Sequence, residues 1–250
     1  MLFCLEIEFY PKTQFNETPI LNFELDAQNT LKYLSIFIFL LLTANILGIA
    51  AKLNLEHPYV EDIATLFDFN SEQNIPTFYS SLALLVCALL NLIVAQKHKL
   101  SGNPYFLWFG LALIFTFLAI DEIASLHEKL SSVVRRFFNT SGLFFYGWVI
   151  PYMIALLVIA AIYSRFLLQL PGKTMILFFV SAFIFVSGAV GFELLAGRQY
   201  ELSGKDNLHY YMFYTCEEFL EMLGIAVFIY TLIDYISEIT DKISINMSSQ

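Results

Sequence analysis

Apolar residues run through this chain in long blocks and do not alternate with polar ones. Predominantly apolar stretches of about 20 residues, the helix length that crosses the hydrocarbon core of a bilayer, occur at 31–53, 77–96, 105–126, 144–168, 174–196 and 211–236. The stretch from Tyr105 to Ala119, YFLWFGLALIFTFLA, carries no charge at all. The pattern predicts an all-α protein, an integral membrane bundle of six transmembrane helices. Between the first two spans the chain is mixed: Val60, Ile63, Leu66 and Phe67 recur at helical spacing, which predicts a short interfacial helix lying on the membrane surface. It leads into FDFNSEQNIPTFYSS at 67–81, where Pro76 suits the first turn of a helix. Asp68, Glu72 and Asn74 are thereby carried to the face where the second span starts.

Outside the spans, residues 1–30 read as an interfacial N-terminal arm, 31–236 as the transmembrane domain and 237–250 as a polar C-terminal tail. The arm carries Glu6, Glu8, Glu17, Glu24 and Asp26 and has neither a basic n-region nor a small-residue cleavage site, so it does not read as a signal peptide. Pro11 and Pro19 oppose a long helix there, while Asp26 or Thr30 suits the cap of the helix entering the membrane.

Composition agrees with this reading: 58% hydrophobic residues and a mean hydropathy of +0.67 exclude an ordinary soluble domain. A net charge of −9 without Lys/Arg clusters excludes nucleic acid and a polybasic grip on anionic lipid. Cys4, Cys87 and Cys216 are too scattered for a disulfide framework and read as small buried hydrophobes, although Cys216 beside Glu217 also suits a soft ligand. No Gly-rich phosphate loop and no GxSxG elbow is present, so nucleotide chemistry and serine acyl transfer have no support. The bilayer is the partner the composition demands, and a homo-oligomer or a membrane partner subunit is compatible with it.

Alternation of the spans places the ends of the first, third and fifth on one face of the membrane, called side X here, and both termini on the other. Seven basic residues on the terminal side against six on side X decide no orientation, and only the turn Gln96-Lys97-His98-Lys99 favours cytoplasmic termini. The alternation also gathers the acids. Asp121, Glu122, His127 and Glu128 end the third span, Glu193 ends the fifth, and Glu217, Glu218 and Glu221 begin the sixth. His57 and His209 fall on side X as well. At about 100° per residue, Asp121 and Glu128 should share one helix face, with Glu122 and His127 flanking it, and the three glutamates of CEEFLEMLG should form a single arc aimed into the bundle.

Ionisable groups within a membrane cost roughly 2.5–3.5 kcal/mol each on insertion scales, so these side chains should face one another, water, arginine or a metal. Three readings stay open. The acids could be solvated helix ends partnered by Arg135 and Arg136. They could be a proton relay or cation pathway. Or Asp121, Glu122, His127, Glu128, Glu193, Glu217, Glu218 and Glu221 could be the ligand pool of a divalent metal site, for which carboxylates with one histidine suit zinc, iron or manganese. The spacing DExxxxHE matches neither ExxH nor HExxH. A metal site one or two turns inside one face suits an enzyme acting on a lipid or amphiphile; the alternatives are a cation or proton carrier and a non-catalytic subunit or sensor. Pro151 is expected to kink the fourth span by freeing the carbonyl of Gly147, and Gly188, Gly191 and Gly224 are expected to permit close helix packing.

The segments FDxxxExNIPT, LxIDExxxxHE, GLFFYGWVIPY and EExxEMLG, in this order between about residues 60 and 235, resemble those of an uncharacterised group of bacterial multipass membrane proteins. The resemblance implies the architecture and a bacterial inner-membrane location, and no activity. The three histidines on side X also invite analogy with membrane hydrolases of the alkaline ceramidase group, which hold zinc with three histidines; this chain departs from them in helix count, spacing and its surplus of glutamate.

Overall fold

The first span starts where Asp26 caps it: its Oδ1 accepts hydrogen bonds from the backbone N–H groups of Gln28 and Asn29 at 2.8 and 3.2 Å. The computed structural model describes residues 26–54 and 58–248, so most of the N-terminal arm and His57 lie outside the described residues. Helix α1 (Ala27–Asn54) is followed by the short α2 (Pro58–Thr65), which is the interfacial helix expected between the first two spans. Asn74 then caps α3 (Ile75–Leu100), accepting from the Thr77 N–H at 3.1 Å, with Pro76 in the first turn where no N–H is needed.

The chain continues through α4 (Phe106–Ala124), α5 (Leu126–Phe138), a 3₁₀ turn at Gly142–Phe144 and α6 (Val149–Leu167). Helices α7 (Gly172–Val186) and α8 (Glu193–Ser203) are joined without a break by a π-helical segment, Ser187–Phe192, and α9 (Leu208–Ser248) is the last element. Six of these rods are long and apolar enough to cross a membrane: α1, α3, α4, α6, the α7–α8 rod and α9 through Thr240. The protein is therefore a multipass integral membrane protein. The helix of α9 also runs on through much of the stretch read above as a tail.

Helices α3 and α9 form the inner pair, with more than half of their apolar length buried, and the other spans pack around them with most of their side chains turned outward. Outward leucines and phenylalanines such as Leu40, Leu47, Leu157 and Phe183 are exposed, as lipid-facing positions should be. Toward the side of the termini the bundle is filled by an apolar cluster around Trp108, which stacks on Tyr235 at 5.1 Å and meets Phe166 and Phe178 edge-on. Ala27 and Ile239 pack on this same cluster, so α1 begins and α9 leaves the membrane at one face.

Two helix boundaries differ from expectation. The third span ends at Ala124, because Ser125 adopts a left-handed conformation (φ 48°) and redirects the chain into α5. The fourth span begins at Val149, so Pro151 lies in its first turn and causes no kink; the Gly147 carbonyl accepts from the Ile150 N–H at 3.2 Å.

Two of the three expected packing glycines act as such. A Cβ on Gly224 would lie 2.7 Å from the Phe185 backbone nitrogen, which brings α7 and α9 into backbone contact. A Cβ on Gly188 would collide with the start of α9. Gly191 has nothing within 4 Å and plays no such part.

Candidate functional site

The break at Ser125 changes what the DExxxxHE segment can do. Asp121 and Glu128 no longer share one helix, so they do not share one face. Asp121 instead turns one oxygen toward the chain that follows: its Oδ1 accepts from the His127 backbone N–H at 2.9 Å, beginning α5. Its Oδ2 accepts from the Tyr152 hydroxyl at 3.0 Å and lies 3.3 Å from His127 Nδ1. Both oxygens thus hold α5 and the imidazole in place.

Held this way, His127 presents Nε2 to Glu72, 4.0 Å distant. Burial works against its charge, yet the Asp121 carboxylate and Glu72 outweigh burial and push it up to about 9. Glu72 hangs from the loop before α3. Burial, followed by the neighbouring Glu128 and Asp121, holds its carboxyl above the ordinary value against the opposing pull of His127. Its Oε2 is buried with no hydrogen-bond partner.

The loop that carries Glu72 is pinned by a residue the sequence reading passed over. Asn45, fully buried in α1, accepts from the Phe69 backbone N–H at 3.0 Å and donates to the Thr215 hydroxyl at 3.0 Å. One amide side chain therefore ties α1, the FDFN loop and α9 together. Asp68 pairs with Lys52 and Asn74 caps α3, which leaves Glu72 as the acid of that loop that approaches Glu122 and His127.

Across from it, the glutamates of α9 face the bundle as their spacing predicts. Glu217 is in side-chain contact with Glu193, and Glu193 Oε1 also accepts from Trp148 Nε1 at 2.7 Å in buried surroundings. Glu218 and Glu221 both feel the charge of Glu122 most strongly, and Glu122 in turn feels Glu72 and His127. The π-helical turn just before Glu193 and the glycine at its start allow this approach, since Gly188 touches the backbone of Glu217 and Glu221. Glu72, Glu122, Glu193, Glu217, Glu218 and Glu221, from four separate segments, thus surround one histidine. A carboxylate has no donor of its own, so the Glu193–Glu217 contact requires a proton or a cation between them.

The cluster borders a cavity of about 470 Å³ on side X, into which Glu72, His127, Glu193, Glu217 and Glu218 all face. Its aromatic wall includes a relay that has no signature in the sequence: Tyr146 donates to Tyr210 at 3.1 Å, and Tyr210 donates to Asn70 at 2.6 Å. Glu128 is exposed and lines the outer part, with Arg135 and Lys205. His209 is exposed and outside the cavity lining. Among the described residues, no three histidine, cysteine, aspartate or glutamate side chains are placed to hold a metal ion as they stand. The acids converge on one region without closing on one point.

The chain belongs to the family described as domain of unknown function DUF8692, whose model matches residues 34–235. That span takes in every residue of the acid cluster. No curated protein and no solved structure matches the chain.

Proposed function

We propose that the acid chamber binds a divalent metal cation, as the centre of an enzyme that works on an amphiphile reaching side X from the bilayer. The observation that carries this is the meeting of Glu193 and Glu217 inside the bundle with four further glutamates around them and His127 as the one opposing charge within the cluster. Such a group is self-repelling until protons or cations enter it. His127 would offer Nε2, its Nδ1 being held by Asp121 in the manner of an outer-sphere carboxylate. Glu72, Glu122, Glu218 and Glu221 would supply oxygens, and Glu193 and Glu217 would complete or flank the set. Oxygen donors with one imidazole suit zinc, iron or manganese. When bound, such an ion would polarise a substrate oxygen or lower the pKa of water, with a spare carboxylate as general base.

The apolar cluster around Trp108 favours a dead-end site over a path through the membrane, because it fills the bundle on the far side of the acids. The test is elemental mass spectrometry on protein purified in mild detergent, beside Glu122→Gln and Glu218→Gln. One or two equivalents of zinc, iron or manganese, lost in the variants, is the expected result. No bound metal, together with melting unchanged by any added ion, would assign the acids to protons. Proton or divalent-ion flux into liposomes that stops in Glu218→Gln would replace the enzyme with a carrier.

A further inference from the structure

Helix α5 is built inside out. At about 100° per residue, His127, Glu128, Ser131, Ser132 and Arg135 occupy one side of it, and all five line the cavity. Leu126, Val133 and Phe137 occupy the opposite side and are exposed, Phe137 to 78%, with exposed Lys129 and Arg136 beside them. A surface helix of a water-soluble protein turns its apolar side inward; here the reverse arrangement places hydrocarbon outside α5 and polar space within. Helix α5 is therefore the wall between the cavity and the membrane interface, and a ligand that reaches this cavity along the interface is an amphiphile.

The cavity is also electrically divided. Its inner end holds Glu72, Glu193, Glu217 and Glu218. Its outer part holds Arg135 and Lys205 against the single acid Glu128, and neither basic group has a carboxylate partner among the ion pairs of the described residues. The Arg135 guanidinium lies over the Phe145 ring, its Cζ 3.8 Å from the centroid, which positions the group. A guanidinium so held, with the Lys205 ammonium lining the same cavity, is suited to a phosphate, which the deeper carboxylates would repel and keep at the rim. The volume of about 470 Å³ accommodates a headgroup and leaves the acyl chains outside.

We infer that this cavity receives the phosphate-bearing headgroup of a membrane amphiphile, with Arg135 and Lys205 as its anion partners. The inference names a substrate class for the site proposed above, but it stands on the cavity wall and rim and does not need the cation.

The test uses the full chain in a neutral maltoside detergent containing a chelator, so that loss of a metal cannot mimic loss of the headgroup. Dioctanoyl phosphatidic acid, dioctanoylglycerol and inorganic phosphate are titrated separately, with binding read by native mass spectrometry and folding by thermal melting. Saturable binding of phosphatidic acid and none of dioctanoylglycerol is expected. Arg135→Gln combined with Lys205→Gln should weaken it by about tenfold or more, two charge-assisted contacts being lost. Arg135→Lys should recover part of the affinity, and Arg165→Gln, at the other face, should leave it unchanged. Equal binding of dioctanoylglycerol, or undiminished affinity in a double variant that melts like the parent, would overturn the inference. Inorganic phosphate binding as tightly as the lipid would overturn its amphiphile half.

Discussion

Gly188 lies so close to Glu217 that a Cβ added to it would fall 2.6 Å from the Glu217 carbonyl oxygen and 3.1 Å from Glu221. The obstacle is backbone on one side, so it cannot swing away as a flexible side chain would. Gly188→Ala should push the π-helical segment off α9 and cost about 1–3 kcal/mol, the usual penalty of overpacking, and it should separate Glu193 from Glu217. Gly191→Ala, three residues on with open space around it, should melt like the parent. Detergent melting curves of the two variants check this; equal losses would mean that the two elements are not held together at Gly188.

Asn45 makes a second, independent prediction. Replacing it with Ala strands the buried Phe69 N–H and removes the partner of the part-buried Thr215 hydroxyl. A buried donor left unsatisfied costs about 1–3 kcal/mol, so Asn45→Ala should lower the melting temperature. It should also loosen the loop that holds Glu72, raising hydrogen exchange in residues 66–74 above that in α3. Uniform exchange across the loop and the helix would show that Asn45 does not organise the loop.

The acids themselves were legible in the sequence because hydrocarbon leaves so few places for charge. Glu193, Glu217, Glu218 and Glu221 interrupt otherwise apolar runs, and the alternation of spans alone put them on one face. The role of Asp121 was not legible, because it depends on the turn at Ser125, and a single serine at φ 48° has no periodic signature. The Pro151 kink failed for a related reason: the apolar run extends five residues ahead of the helix, so a proline of the first turn looked internal. Asn45 did carry a signal, as a lone amide in a span of aliphatic residues, since such a group needs partners that lipid cannot supply. The direction of Glu72 into the bundle was not legible, for periodicity places its loop on side X and only tertiary packing turns the side chain inward.

Trp148 offers an optical reading of the site. The chain has two tryptophans, and Trp108 is buried in the apolar cluster away from the acids while Trp148 donates to Glu193 and stands 5.0 Å from the His127 ring. A divalent cation entering the cluster would draw on the Glu193 carboxylate and alter the surroundings of the indole. Titration of zinc or manganese should therefore change the intrinsic fluorescence of the parent, and the change should vanish in Trp148→Phe. A response of equal size in that variant would place the cation elsewhere.

The pairing of His127 with Asp121 and Glu72 makes stability depend on pH in a definite direction. The imidazole, pushed up to about 9 in the folded protein, has an ordinary value near 6.5 once unfolded. The folded state therefore holds a proton that the unfolded state releases between these values, and by linkage its contribution is present in full below about pH 6.5 and is lost as pH rises through 9. A gap of this size corresponds to an effect on the order of 3 kcal/mol. Melting temperature should fall from pH 6 to pH 9.5 in the parent. His127→Gln keeps a hydrogen-bonding side chain but has no proton to lose, so it should start lower at pH 6 and decline less over the same range. The difference between the two curves is the quantity to measure, because groups away from His127 titrate in both proteins alike. Parallel curves would mean that the imidazole is neutral in the fold, and Asp121 would then hold it through the Nδ1–H alone.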